Sequence, residues 1–362
     1  MNRRTFHQRL GALAAGVSAL GAREGKATPA RPQPESNGPF GGGIYIGDRI
    51  SPEPSDAELD FFKQCGVEFA TIWTTIDRSN ADYMIRTRRK LEAHQIQLLN
   101  IGILDLHCDP TIVLALPGVD EKIEQYRQYL GHLHRAGIEY TTYAHMANIK
   151  MAPYYQTGQE PNVRGVMSRA FDMEEAKDLP LSHGRVYEDE EIWRSFERFI
   201  RAVMPVAERN GVRIGLHPDD PPVPSLGGVA RIFRTPEAYD RALEIADSEN
   251  FGLCFCVGTW AEGGDQLGKT PVEMIRYFGP RGRLFKIHFR NVDAPLPKFR
   301  ETYVDEGYLD MHEVMRALAE TGFNGVIIPD HVPGGALAPG AAYTLGYIRA
   351  LRDRAYADLD KA

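Results

Sequence analysis

The sequence has few cysteines, no block of basic residues and no long apolar run. Only four of its 362 residues are cysteine, too few for a disulfide framework in a chain of this length. Acidic residues outnumber basic ones by 49 to 42, giving a net charge of -7, and this balance does not favour nucleic acid as a partner. With 43% hydrophobic and 25% charged residues, the composition suits an ordinary soluble globular protein.

The first 40 residues differ from the rest and are typical of a secretory signal. Arg3 and Arg4 precede Phe6, and a weakly apolar stretch at 10–22 leads into a proline-rich polar tract. The paired arginines resemble a twin-arginine signal, although a disordered tail could also contain them. The apolar stretch is too short and too rich in glycine and alanine for a stable membrane span. We therefore expect 1–40 to be a signal peptide and linker, and the protein to be periplasmic or exported.

From residue 41 to residue 362, short apolar runs alternate with amphipathic segments eight times. The predicted strands cover residues 43–47, 68–74, 97–103, 139–145, 212–216, 251–255, 284–287 and 326–328. The predicted helices cover residues 56–65, 83–94, 121–136, 189–210, 236–246, 271–278, 311–321 and 342–355. Strict β-α alternation favours a closed (β/α)8 TIM barrel, in a single domain, over an open doubly wound sheet.

Residues 151–178 interrupt this alternation after the fourth predicted strand. The segment is rich in glycine, tyrosine and arginine, and we predict a long loop. Such a loop on the catalytic face of a barrel could be a lid or a substrate clamp, or it could be an ordinary solvent-exposed connection.

Four potential metal ligands stand at the ends of the last four predicted strands. They are His217, Cys256, His288 and Asp330. A single histidine at the end of an apolar strand is more often a structural residue, but four donors at equivalent positions are far less easily accidental. Because the carboxyl ends of barrel strands share one rim, which carries the active site of TIM barrels, these side chains should converge.

A set of two imidazoles, one thiolate and one carboxylate is of mixed hardness. It disfavours Mg²⁺ and Ca²⁺, which prefer oxygen ligands, and suits Mn²⁺, Fe²⁺, Co²⁺ or Zn²⁺. Four protein ligands leave room for a substrate only if the ion is five- or six-coordinate, which argues mildly against tetrahedral Zn²⁺. Cys254, by contrast, is expected to be a small buried hydrophobe that faces away from Cys256.

Residues beside the four donors are candidates for substrate binding and proton transfer. Asp219 and Asp220 could orient a ligand or bind substrate hydroxyl groups, or they could only cap the loop after a strand. Arg290 and Asn291 stand where a substrate carboxylate could be held. His331 follows the aspartate ligand directly, and this is a good position for a general acid or base.

Several of these motifs resemble the mannonate dehydratase family of xylose-isomerase-like TIM barrels. The resemblance extends over residues 198–347 and rests on His217-Pro218-Asp219-Asp220-Pro221-Pro222, the Cys-x-Gly at 256–258, the His-x-Arg-Asn at 288–291, the stretch Tyr308-Leu309-Asp310-Met311, and Pro329-Asp330-His331. It implies Mn²⁺ or Fe²⁺ bound by His217, Cys256, His288 and Asp330. It also implies an acid/base pair formed by His331 and Tyr343.

The chain departs from the family pattern at positions that face the substrate. The family's His-His-Ile-Pro after strand two is replaced by the sequence Trp-Thr-Thr-Ile at 73–76. Its arginine before Pro-Asp-His is Ile328 here, and its glycine after that motif is Val332. The family's helical insertion after strand four is much reduced, and the family is cytosolic. The metal chemistry is therefore better supported than the substrate.

The resemblance implies a lyase that dehydrates D-mannonate, or a related sugar acid, to 2-dehydro-3-deoxy-D-gluconate. The alternative with the same site is a metal-dependent sugar isomerase or epimerase, which the altered strand-two end and the lost arginine favour. From another class, the chain could be a periplasmic sugar- or metal-binding protein with a disabled site, but all four donors and His331 are retained. The expected partner is a small sugar or sugar acid. The sequence leaves open whether the protein forms a homo-oligomer.

Overall fold

Eight parallel strands form the centre of the fold. The structure, a computed structural model, describes residues 42–337 and 339–361, so the predicted signal segment lies outside the described residues. These eight strands, together with five others that form two smaller sheets in the described residues, are β1 (Ile44–Ile50), β2 (Phe69–Thr74), β3 (Gln97–Ile103), β4 (Tyr140–Tyr143), β5 (Gly158–Pro161), β6 (Met167–Asp172), β7 (Arg213–Leu216), β8 (Ser225–Leu226), β9 (Val229–Ala230), β10 (Phe251–Cys256), β11 (Leu284–His288), β12 (Lys298–Arg300) and β13 (Gly325–Ile328).

The eight predicted strands lie in one sheet, in the order β3-β2-β1-β13-β11-β10-β7-β4. All neighbours in this order pair in parallel. Strands β3 and β4, at the two ends of the order, lie against each other and make the sheet a nearly closed barrel. The predicted TIM-barrel fold is confirmed.

Helices follow the barrel strands as predicted. They span Asp56–Gln64, Ala81–Ala93, Pro110–Val113, Val119–Arg135, Met173–Ala176, Asp189–Arg209, Pro236–Ala246, Val257–Gly263, Pro271–Phe278, Met311–Glu320 and Pro339–Leu359. Local chemistry explains several of their starts. Thr235, for example, accepts a hydrogen bond from the Ala238 amide, with proline at the first helical position. Over the described ranges, no helix has both the length and the apolar character needed to cross a membrane.

The amphipathic helices pack their apolar faces on the barrel. The helix Asp189–Arg209 buries Trp193, Phe196 and Phe199, and the Phe199 ring stacks on Tyr143 of β4 at 4.5 Å between centroids. Each such side chain contributes roughly 1.5–3 kcal/mol by leaving water. Inside the barrel, a separate apolar cluster that includes Phe69, Tyr140 and Phe285 fills one end. The four candidate donors lie at the other, carboxyl-terminal ends of their strands.

The prediction of one long loop over 151–178 is wrong in part. Strands β5 and β6 pair antiparallel there, and β6 also pairs antiparallel with β12, which follows β11 in the chain. This covering sheet (β5, β6 and β12) has a buried contact of its own, since the rings of Phe171 and Phe299 stack at 5.7 Å. The sequences of these strands lack the apolar runs by which buried strands are recognised.

Candidate functional site

Three of the four predicted metal ligands meet at the carboxyl-terminal rim of the barrel. The ligand atoms of His217, Cys256 and His288 all lie within 4.8 Å of one another. These residues follow β7 and end β10 and β11, which are neighbours in the barrel. The His217 Nε2 and His288 Nδ1 atoms are 3.2 Å apart. Both nitrogens can therefore face one ion.

Asp330, the fourth predicted ligand, lies beside this cluster. Its Oδ2 atom is 3.4 Å from His288 Nδ1, the nitrogen that also faces His217. Its Oδ1 atom is 3.4 Å from the Arg49 guanidinium. The structure thus brings all four predicted ligands together, with Asp330 on the side of β13 and β1.

The surroundings of the two imidazoles leave one nitrogen of each free for a ligand. The Nδ1 atom of His217 is 2.7 Å from the Pro218 carbonyl oxygen, to which it donates when protonated, so Nε2 faces the cluster. Burial lowers the pKa of His217 to about 4 and the pKa of His288 to about 3. Both rings are consequently neutral near pH 7, which is the form that binds metal ions.

The expectation that Cys254 faces away from Cys256 is wrong. Alternate residues of a strand share a face, because the side-chain period of a strand is two. The Cys254 Sγ atom lies 3.4 Å from His288 Nε2, so this thiol contacts the outer nitrogen of the ring whose inner nitrogen faces the cluster. Cys254 therefore supports the orientation of His288, in the way that groups behind metal ligands do.

A buried cluster of charges surrounds the candidate ligands, and we call it the charge cluster. Two guanidinium groups contact four carboxylates, and the members are Arg169, Arg290, Asp220, Glu262, Glu301 and Asp330. All six are buried. Desolvation, together with the nearby Asp220 carboxylate, raises the pKa of Glu262 to about 7. An excess of buried negative charge is costly unless it is compensated, so the donor set and its surroundings fit a divalent cation.

Arg169 is the member of the charge cluster that comes from the covering sheet. Its Nη2 atom is 2.5 Å from Asp220, and its Nη1 atom is 3.0 Å from Glu262 and 2.9 Å from Glu301. The guanidinium also lies over the Tyr155 ring, 4.0 Å from its centroid. The ion pairs therefore tie the covering sheet to Asp220, which follows β7, and to Glu262, in the helix that follows β10.

His331 stands beside the candidate ligand Asp330, and both of its ring nitrogens contact other side chains. Its Nδ1 atom is 2.6 Å from Glu301 Oε1, and its Nε2 atom is 2.7 Å from the Tyr155 hydroxyl. Burial alone would lower the pKa of His331, but the carboxylates of Asp330 and Glu301 outweigh that effect and raise the pKa. Its backbone has φ of 50°, a conformation that non-glycine residues rarely adopt and that is often kept at functional sites.

A cavity of about 290 Å³ opens in front of these residues. Its lining includes His217, His288, Asp330, His331, Asp220, Arg49, Trp73, His107, Lys150 and Tyr155. The Trp73 ring lies 4.4 Å from the His107 ring. Gly102 makes room for this indole, since a Cβ atom there would lie 2.3 Å from it. The cavity is thus lined by the candidate metal ligands on one side and by an aromatic wall and two cations, Arg49 and Lys150, elsewhere.

Asp219, Arg290 and Asn291 lie in structural contacts. The Asp219 carboxylate accepts a 2.7 Å hydrogen bond from the Phe233 amide, as a loop-capping residue would. Arg290 is buried in the charge cluster, and the Asn291 side-chain amide donates to the carbonyl oxygens of Val304 and Leu309. Of the predicted substrate-binding residues, the structure brings Asp220 to the cavity wall, where it pairs with both guanidinium groups of the charge cluster.

Tyr343 lies outside this cavity, on the helix Pro339–Leu359. It is 42% exposed, and its hydroxyl donates a 2.6 Å hydrogen bond to Asp305. The Arg164 guanidinium covers its ring at 4.7 Å from the centroid. The tyrosine in the cavity wall is Tyr155, which sequence reasoning did not select because nothing in its local sequence marks its contact with His331.

A nearly closed barrel of eight parallel strands, with the candidate donors gathered at one rim, defines this chain as a TIM barrel. The crystal structure of a D-tagatose 3-epimerase-like protein shares the fold, with a TM-score of 0.57 and 16% identity over 87% of this chain and 100% of that one. The crystal structure of mannonate dehydratase from Streptococcus suis serotype 2 matches with a TM-score of 0.75 and 24% identity, over 88% of this chain and 96% of that one.

Sequence comparison gives the family. The family model of D-mannonate dehydratase (UxuA) matches residues 59–357. Mannonate dehydratase 2 of Halalkalibacterium halodurans is 30% identical over 272 residues, which are 68% of this chain and 77% of that protein. The chain belongs to the D-mannonate dehydratase family and is a hydro-lyase. The predicted resemblance is confirmed, and the isomerase or epimerase alternative is not favoured, since the epimerase-like structure shares the fold alone.

The charge cluster predicts a large stability cost for the change Arg169→Ala. It would leave Asp220, Glu262 and Glu301 to share the Arg290 guanidinium, and removing one member of a buried ion pair costs about 3–5 kcal/mol. The measurement is the free energy of unfolding in urea. The matched control is Arg185→Ala, which removes an exposed pair with Glu191 and should cost at most about 1 kcal/mol. Equal costs for the two variants would contradict the assigned role of Arg169.

Proposed function

We propose that this protein dehydrates D-mannonate, or a closely related aldonic acid, to the 2-keto-3-deoxy acid. The metal in this proposal is Mn²⁺ or Fe²⁺, held by His217, Cys256, His288 and Asp330. The observation that carries it is the convergence of these four side chains, of which His217, His288 and Asp330 line one small cavity beside His331, in a chain of the D-mannonate dehydratase family.

The reaction removes the proton at C2, next to the substrate carboxylate, and the hydroxyl group at C3. A bound divalent ion would supply stabilisation of the negative charge that develops beside the carboxylate when the C2 proton leaves. His331 is the group placed to move that proton, since it lines the cavity next to Asp330. The Glu301 carboxylate accepts a hydrogen bond from Nδ1 of His331, which orients the ring with Nε2 toward the cavity side.

The charges of the cavity wall support an acid substrate over a neutral sugar. Arg49 and Lys150 both line the cavity, and the Arg49 side chain is 50% exposed. Arg290, in contrast, is occupied by buried carboxylates, so Arg49 is the guanidinium better placed for a substrate carboxylate. Trp73 offers an apolar ring face, against which the C–H groups of a sugar chain can pack. A volume of about 290 Å³ matches a small ligand.

The proposed ligand set predicts that His217→Ala, Cys256→Ser and Asp330→Asn each lose bound metal together with activity. The fold should persist, because these residues sit at strand ends outside the packed layers of the barrel. Elemental analysis of the purified proteins measures the metal, and circular dichroism checks the fold. Cys65→Ser is the matched control and should keep its metal, since this free cysteine lies away from the cluster. Stoichiometric metal in any two of the three variants would refute the set.

His331 is proposed as a proton-transfer group, so His331→Asn should keep the metal and bind substrate nearly as before. Its turnover should fall about 10²–10⁴-fold, the usual contribution of one general acid or base. The assay follows 2-keto-3-deoxy acid formation from D-mannonate by the metal-loaded protein. His183→Asn, in a loop away from the cavity, is the control and should turn over normally. Loss of metal along with turnover would instead make His331 a ligand or its support, and unchanged turnover would remove it from the chemistry.

A further inference from the structure

We propose that Tyr155 is the general acid that protonates the leaving C3 hydroxyl, in place of Tyr343. This inference rests on the proposed function. It concerns a residue of the segment between β4 and β5, a region that carries no recognisable site motif. Three observations support it: Tyr155 contacts His331, Arg169 holds Tyr155 in place, and Tyr155 lines the cavity.

The Tyr155 hydroxyl is in direct contact with the proposed base. It lies 2.7 Å from His331 Nε2, and the two rings meet edge-on at 5.7 Å between centroids. Both residues line the cavity in front of the candidate ligands. A substrate that fills this cavity would therefore have the phenol and the imidazole on the same side, about one hydrogen bond apart.

The phenol is held by contacts on both its ring and its backbone. The Arg169 guanidinium lies over the ring at 4.0 Å, and its Nε atom donates a 3.0 Å hydrogen bond to the Tyr155 carbonyl oxygen. Arg169 itself is fixed by carboxylates of the charge cluster. Groups held in this way keep their geometry during catalysis, which is what a proton donor of fixed direction requires.

The surroundings of Tyr155 also keep it protonated. Desolvation by burial raises its pKa well above the ordinary value of a tyrosine, and the nearby Arg169 cation does not reverse this effect. The side chain therefore enters the reaction as a neutral phenol. In this form it can give a proton to a leaving oxygen.

The proton transfers balance within the pair. His331 Nε2 takes the proton from C2, and the electron pair of that C–H bond forms the C2–C3 double bond as the C3–O bond breaks. The departing oxygen takes the phenolic proton of Tyr155 and leaves as water. The enol that remains tautomerises to the 2-keto-3-deoxy acid. The phenolate then recovers a proton from the His331 imidazolium across the contact that joins them, so both side chains return to their starting forms.

The first test compares Tyr155→Phe with Tyr343→Phe in the full-length, metal-loaded protein. Tyr155→Phe keeps the ring under Arg169, so we expect unchanged metal content and a similar KM, with kcat on D-mannonate lowered about 10²–10⁴-fold. Tyr343→Phe removes an exposed hydroxyl bonded to Asp305 and should leave kcat unchanged. A Tyr155→Phe variant with wild-type kcat, or a Tyr343→Phe variant with the larger loss, would overturn the inference.

The second test separates a proton donor from a residue that only orients His331. In 3-deoxy-3-fluoro-D-mannonate the leaving group is fluoride, which departs without needing a proton. On this substrate we expect Tyr155→Phe to regain most of the wild-type rate, whereas His331→Asn should stay impaired because the C2 proton must still be removed. Equal impairment of Tyr155→Phe on both substrates would overturn the assignment as acid.

Two further outcomes are distinguishable. A wild-type protein that dehydrates no aldonic acid would overturn the proposed function and this inference together, while an active wild type with an active Tyr155→Phe variant overturns the inference alone.

If Tyr155→Phe fails to fold, a fluorotyrosine at position 155 keeps the shape and makes the phenol more acidic. We then expect kcat to change with the acidity of the phenol, and an unchanged kcat would contradict the role.

Discussion

The ion pairs of Arg169 and Arg290 with buried carboxylates are the interaction on which the rest of the site depends. Arg169 fastens the covering sheet to the segments that follow β7 and β10, and Arg290 contacts Asp330, the fourth candidate ligand. Removing either guanidinium would take a partner from at least three buried carboxylates, and a buried charge that loses a partner is costly. Because the carboxylates outnumber the guanidinium groups, the same cluster that orders the loops also favours a cation at the rim of the barrel.

The barrel and the covering sheet divide the chemistry between them. Consecutive strands of a parallel barrel end at one rim, and this brings together ligands that lie far apart in sequence. The covering sheet supplies Arg169, and the segment before it supplies Tyr155, which closes the cavity beside His331. A barrel with such a rim is common to many proteins with unrelated activities. The particular reaction therefore depends on the groups that the loops add.

The barrel and the placement of the four candidate ligands at its rim could be predicted from sequence because both leave local marks. Each ligand ends or follows an apolar run, and the run places it on the rim. Tyr155 and Arg169 leave no such mark, since their roles come from contacts with residues more than 50 positions away. Arg290 was predicted to hold a substrate carboxylate because of its position at the rim. The sequence does not reveal that buried carboxylates of the protein already pair with it.

The central claim, that Cys256 and its neighbours bind one divalent ion, is tested most directly by X-ray absorption spectroscopy of the iron-loaded protein. The account predicts one sulfur scatterer at bonding distance together with nitrogen and oxygen scatterers. Cys256→Ser should lose the iron and with it the sulfur scatterer, whereas Cys254→Ser, whose thiol contacts the outer nitrogen of His288, should keep both. A spectrum with nitrogen and oxygen scatterers alone, or a sulfur that depends on Cys254, would contradict the account.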